Sequence, residues 1–229
     1  MPKLFDARCR RCPRLADFRE QSRRQYPGYH AAPVPAFGDD DPSWLIVGLA
    51  PGMHGANRTG RPFTGDHAGI VLYSTLHAIG AASQPESRAA DDELRLQGVR
   101  ITNAVKCLPP ANKPTPAEAR ECNGYLRAEL AAHRRLRVVL ALGRIAHDAV
   151  LDALGMARSA CRFAHAAEHR LADGRWLLDS YHCSRYNTQT RRLTAQMFHS
   201  VLQRARDLAV APGAAVAAGP RVARDVGPA

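Results

Sequence analysis

Lysine is nearly missing from this chain of 229 residues: three lysines stand against 29 arginines. Aromatic residues are scarce too, at 6%. No stretch approaches the roughly 18 uninterrupted apolar residues that a membrane-spanning helix needs, which excludes a span. Met1 to Arg14 carries five basic residues and no apolar h-region follows, so the expectation is a cytoplasmic protein without a secretory signal. No internal repeat is visible. What the chain does have is a net charge of +11 and a hydrophobic share of 45%, enough for a real core and for one or two domains. The positive excess favours polyanionic partners such as nucleic acid or an acidic membrane face. The arginine bias suits bidentate phosphate contacts, although a biased genome composition would produce it equally well.

Strand-like and helix-like segments alternate. Trp44 to Leu49 reads as a buried strand ending in a Gly-Leu-Ala-Pro-Gly turn, and Ile70, Val71, Leu72, Leu76 and Ile79 mark one face of a helix ending near Gly80. Val99 to Val105 predicts a second strand. Thr115-Pro116-Ala117-Glu118 supplies an N-cap, a first-turn proline and a capping-box glutamate for a helix running to about His133. A third strand is expected at Leu136 to Leu142, a helix at Ile145 to Leu154, a fourth strand at Trp176 to Asp179, and a last helix through Leu193, Met197, Val201 and Leu202. Near-continuous apolar strands in this alternation imply an α/β fold: a three-layer α/β/α arrangement around a mainly parallel four-stranded sheet. Ligands of such sheets sit at the carboxyl ends of the strands. The expected organisation is one domain over 1–208, including the amino-terminal cysteine segment, and a flexible Ala/Gly/Pro-rich tail over 209–229.

Six cysteines in a reducing compartment point to metal or redox chemistry rather than disulfides. Cys9 and Cys12 form a Cys-x2-Cys pair, while Cys107 and Cys122 are separated by fourteen residues, so four thiolates can meet. Spacing alone does not choose between zinc and an iron-sulfur cluster, nor does it exclude an accidental or redox-active pair. Cys161 and Cys183 have no partner at ligand spacing. The loop Gly48 to Asp66 holds five glycines between a strand and a helix, so backbone must approach something closely there. It lacks the Gly-Lys-Ser/Thr ending of a P-loop and the spacing of a dinucleotide fingerprint, and supports no mononucleotide cofactor. Phe63 fits a core position as well as a stacking surface, and Asp66 an N-cap as well as a catalyst.

Four ordered segments carry a resemblance. They are the Cys9/Cys12 pair, Gly48-Leu49-Ala50-Pro51-Gly52 running on to Arg61-Pro62-Phe63-Thr64-Gly65-Asp66, Ile101-Thr102-Asn103-Ala104-Val105-Lys106-Cys107 with Cys122, and Tyr181-His182-Cys183-Ser184-Arg185-Tyr186-Asn187-Thr188-Gln189-Thr190. Together they resemble the uracil-DNA glycosylase superfamily, in its iron-sulfur branch and family 5 (UDGb) type. The resemblance implies a monofunctional glycosylase that hydrolyses the N-glycosidic bond of uracil, and of other deaminated bases, in base-excision repair. It also implies a structural 4Fe-4S cluster on Cys9, Cys12, Cys107 and Cys122, with zinc as the lesser occupant. Damaged DNA is the implied partner, and the protein is expected to act as a monomer.

An everted base needs an apolar surface and a reader of its hydrogen-bonding edge. By the resemblance these are Phe63 and Asn103, beside the loop residues Gly48, Ala50, Pro51 and Gly52. His182 would donate to the base oxygen as negative charge develops there. Asp66 would stabilise the sugar cation or orient water. Ala50 stands where other branches carry a polar residue, so its water-positioning work passes to Asp66. Arg185, Tyr186 and Asn187 would form a loop entering the minor groove. One departure is Cys183, where the family usually has proline; losing that rigidity is expected to loosen the His182 loop and lower activity. A noncatalytic nucleic-acid module of the same fold is the competing reading, and a zinc or redox protein the third.

Overall fold

The computed structural model describes residues 4–211. Its six strands are β1 (Phe37–Gly38), β2 (Trp44–Gly48), β3 (Val99–Asn103), β4 (Val138–Leu142), β5 (Glu168–Arg170) and β6 (Trp176–Ser180). They form one mixed sheet in the order β1-β3-β2-β4-β6-β5. The four central strands are parallel; β1 and β5 join the edges antiparallel. The expected four-stranded sheet is therefore corrected to six. Both added strands escape any periodicity, β1 with two residues and β5 with three mostly exposed ones. Such short, polar edges also limit pairing with other chains.

The helices are α1 (Pro13–Gln25), α2 (Ala56–Thr59), α3 (His67–Ala78), α4 (Pro116–Ala132), α5 (Arg144–Ala153), α6 (Arg185–Gln189) and α7 (Ala195–Val210). None is long and apolar enough to cross a membrane. The last helix reaches two residues into the stretch assigned to a tail, and Ala209 is buried. The remainder of that stretch, 212–229, lies outside the described residues.

Alternation along the strands divides the core into two layers. Trp44, Ile46, Ile101, Val138, Leu140 and Leu178 pack with α3 and α7. Leu45, Val47, Val139, Ala141 and Leu177 pack with α4 and α5 on the other face. A strand apolar at every position is what burial on both faces requires. The capping box at Thr115 is present as expected, and its Glu118 also accepts from Arg14 Nε at 2.7 Å, which ties α1 to the start of α4. A third apolar cluster, of Leu15, Val105, Cys107, Cys122 and Tyr125, fills the space between α1, α4 and the segment after β3.

Candidate active site

The glycine loop after β2 exists to let side chains converge. A Cβ on Gly48 would lie 2.4 Å from Asn103 Oδ1 and 2.6 Å from Phe63 Cζ, so only hydrogen fits beneath that ring and amide. Phe63 itself has φ +54°, a left-handed conformation that L side chains occupy only under constraint. The constraint is visible. Tyr73 Oη, fully buried, donates to Pro62 O at 2.8 Å, and the bare Cα of Gly69 lets α3 press against the Phe63 carbonyl. Just upstream, the buried Arg61 guanidinium pairs with Asp92, donates to Ser87 Oγ and Ala90 O, and lies 4.1 Å from the Phe37 ring centroid. The long excursion between α3 and β3 thus pins the residues before Phe63.

Asp66 caps α3: its Oδ1 accepts from Gly69 N at 2.9 Å. That leaves Oδ2 beside Gly55 and Gly52, where the backbone carries no side chain to cover it. Asp66 is thus both the helix cap and a carboxylate lining the cleft. Across the cleft, the His182 imidazole lies over Phe63 with ring centroids 5.8 Å apart and planes 26° from parallel. Burial holds the His182 imidazole below its ordinary pKa, with Asp66 opposing that shift, so the ring is neutral near pH 7 and keeps one N–H to donate. The loop carrying it is tied down twice. Asn187 Nδ2 donates to His182 O at 2.8 Å, and the buried Cys183 Sγ donates to Ala68 O at 3.4 Å, a bond that proline could not make.

The resulting cleft of about 440 Å³ is lined by Ala50, Gly52, Phe63, Asp66, Asn103, His182 and Arg185, among others. Among the described residues the Asn103 amide has no hydrogen-bond partner, although it is only 4% exposed, so its donor and acceptor face the cavity unspent. Gly48 lies beneath Phe63, and Pro51 is buried outside the lining. Tyr186 points to solvent, 70% exposed, from α6, a helical turn in place of the expected open loop. The sequence reading passed over three polar lining residues: His67, whose Nε2 meets Thr188 Oγ1 at 2.9 Å and joins α3 to α6, Ser184, and Asn112. Asn112 follows Ala111, and both have positive φ, which no local pattern signals.

Behind the Ala50 wall, Cys9, Cys12, Cys107 and Cys122 line one small cavity between α1, α4 and the segment after β3. Burial, with the other thiolates adding, pushes the Cys12 thiol up to about 11 and the Cys107 thiol up to about 12, the latter against the opposing Arg19 charge. Donors surround the sulfurs: Arg19 Nη1 to Cys107 Sγ at 3.5 Å and Lys106 N to Cys122 Sγ at 3.3 Å. Arg19 Nε and Tyr125 Oη, both buried at this cavity, have no partner among the described residues. Among the described residues, the metal-ligating side chains that gather three donor atoms within 4.8 Å are His147, His169 and Asp179. No three of the four sulfurs lie within that distance of one another, whereas thiolates on one tetrahedral zinc all sit roughly 3.8 Å apart.

Comparison with known proteins agrees with this geometry. Residues 35–206 match the family model of the uracil DNA glycosylase superfamily. The chain is 53% identical over 206 residues to the type-5 uracil-DNA glycosylase of Thermus thermophilus, covering 88% of this chain and 94% of that protein. It is 44% identical over 209 residues to the type-5 uracil-DNA glycosylase of Mycobacterium leprae, covering 88% and 91%. A type-4 uracil-DNA glycosylase of Archaeoglobus fulgidus matches at 39% over 120 residues, about half of each chain. The mixed, mainly parallel sheet, the cleft at its carboxyl edge and these likenesses have one reading: the chain belongs to the uracil DNA glycosylase superfamily, on its type-5 branch.

Proposed function

We propose that this protein is a monofunctional DNA glycosylase that excises uracil from DNA in base-excision repair. The observation that carries the reading is the convergence of Phe63, Asn103, Asp66 and His182 on one cleft at the carboxyl ends of β2, β3 and β6. The everted base lies on the Phe63 ring, and the unspent Asn103 amide pairs with its edge. As the C1′–N1 bond breaks, its electron pair passes to the base; the neutral His182 donates its N–H to the base oxygen that gains the charge. Asp66 Oδ2 faces the electron-poor sugar and holds the water whose oxygen bonds to C1′; that water's proton passes to the carboxylate and is returned to the departing uracil anion, while Oδ1 stays fixed by the helix cap. Ala50 contributes no polar side-chain atom, so the carboxylate is the side chain that carries that work. Arg185 and Tyr186, projecting from α6, enter the minor groove beside the lesion.

We assign Cys9, Cys12, Cys107 and Cys122 to a 4Fe-4S cluster. Wide sulfur spacing and partnerless donors at Arg19 and Tyr125 suit a polynuclear anion better than one zinc ion. When bound, the cluster supplies a cross-link between α1, α4 and the back of the cleft. Absorption near about 400 nm that is lost in Cys107→Ala tests this, and a stoichiometric zinc content without that absorption would contradict it.

A cleft with one amide reader and no polar side chain at position 50 leaves room for other deaminated bases. The experiment is base release from duplexes carrying uracil, hypoxanthine or xanthine. Uracil release by wild type, with loss in Asp66→Ala and His182→Ala, is expected. Tight binding with no release of any base would instead make the protein a noncatalytic module of the same fold.

A further inference from the structure

Beside the glycine loop that passes Asp66, an aromatic and basic rim stands with no role in the chemistry above. His54 sits between Gly52 and Gly55, the residues that bracket Asp66 Oδ2, and its side chain is exposed. Its imidazole is propped by two tyrosines that are distant in sequence. Tyr26 and Tyr29 stack with centroids 4.6 Å apart and planes 14° from parallel. The His54 ring stands across both, at 5.6 and 6.0 Å and nearly perpendicular, and Tyr29 Oη meets its Nδ1 at 2.9 Å. A turn, Tyr29 N to Tyr26 O at 2.9 Å, sets the pair at the end of α1. Asn57 Nδ2 to Ser22 Oγ at 3.0 Å and His30 N to Arg58 O at 3.0 Å lock that turn to the loop bearing His54.

An apolar core has no use for this cluster, because its rings are half-buried or exposed. Charge defines what fits it. Arg58 donates to His54 O at 2.8 Å, and the Arg58 and Arg24 guanidinium groups, both exposed, make no ion pair among the described residues. Flat rings beside uncompensated arginines are the surface that holds unpaired nucleobases and their phosphates.

Resting on the reading of the cleft as a nucleotide site, we infer that the His54–Tyr26–Tyr29 rim stacks an unpaired base next to the everted nucleotide, so that single-stranded DNA is held as a substrate. A base inside a duplex already has stacking partners on both faces and gains nothing from a protein ring. An unpaired neighbour has lost them, and one good platform restores about tenfold or more in affinity.

The test uses uracil-free oligothymidylate carrying one 2-aminopurine, whose fluorescence is quenched by stacking, together with a duplex of equal length. Wild type should quench the probe. His54→Ala, at an exposed position, should quench less and bind the single strand about tenfold more weakly, with duplex affinity changed far less. Tyr29→Phe, which removes only the hydroxyl bound to the imidazole, should lose a smaller share of both signals. Single-strand binding by His54→Ala equal to wild type, or an equal loss on both DNA forms, would overturn the inference. Because the probe contains no uracil, a wild-type protein that quenches it but releases no uracil would overturn the glycosylase reading and leave the rim standing.

Discussion

A methyl group added to Gly55 would place its Cβ 2.2 Å from Asp66 Oδ2 and 2.8 Å from its Cγ. The nearest atoms such a methyl would meet all belong to the Asp66 side chain, so the conflict falls on the carboxylate. Gly55→Ala should therefore misplace the acid. Displacing a reacting group by about 1 Å costs on the order of a hundredfold in rate. Single-turnover uracil release measured beside circular dichroism checks this; a folded Gly55→Ala with wild-type rate would remove Asp66 Oδ2 from the reacting centre.

Tyr73→Phe isolates the anchor of the stacking ring. It keeps the ring volume and deletes one buried bond, to Pro62 O, next to the strained Phe63 backbone. A stability loss of about 1–2 kcal/mol is expected, with uracil release down roughly tenfold as Phe63 loosens. A folded variant of undiminished rate would mean that this bond does not set the place of the ring.

A buried pair away from the cleft gives the protein a pH-dependent stability. His147 Nδ1 meets Asp179 Oδ1 at 2.7 Å and its Nε2 meets Cys161 O at 3.0 Å, so both ring nitrogens face acceptors. Burial opposes the charged ring, but the Asp179 carboxylate outweighs it and the His147 pKa is raised above its ordinary value. A raised pKa in the folded state adds stability that is complete below the unfolded value, about 6.5, and is lost as pH climbs through the folded value. The Tm advantage of wild type over His147→Gln should accordingly be full in acid and shrink as the pH rises above about 6.5. An advantage that stays constant or grows would show that the pair is not an ion pair.

Four exposed arginines, Arg24, Arg58, Arg185 and Arg191, make no ion pair among the described residues and lie on segments flanking the cleft. From His182 to Arg206 there are five arginines and no carboxylate. Four phosphate contacts predict that duplex affinity falls about a hundredfold between about 50 and 200 mM salt. A Kd that barely moves over that range would place the DNA on some other face.

The central sheet was legible because β2 and β4 are apolar at every position, the signature of burial on both faces, while β3 and β6 each start on an apolar residue and turn polar at the carboxyl end, where the cleft lies. The edges were not, since β1 is two residues long and β5 exposes its side chains. Helix α1 hid because two of its four buried positions are Arg19 and Ser22, polar residues committed to Cys9 O, Met53 and Asn57. In the cleft, Phe63, Asp66, Asn103 and His182 stood out through motif resemblance. Their convergence needed the close approaches at Gly48, Gly55 and Gly69. Asn112 and the Tyr26–Tyr29–His54 rim depend on loops meeting across the fold, and no local spacing encodes that.

The most direct measurement is the single-turnover rate of uracil release from one defined oligonucleotide by wild type, Asp66→Ala and His182→Ala. Wild type should release uracil, and each variant should be slower by about a hundredfold or more while remaining folded. Release by both variants at the wild-type rate would contradict the assignment of this cleft as the place where the glycosidic bond breaks.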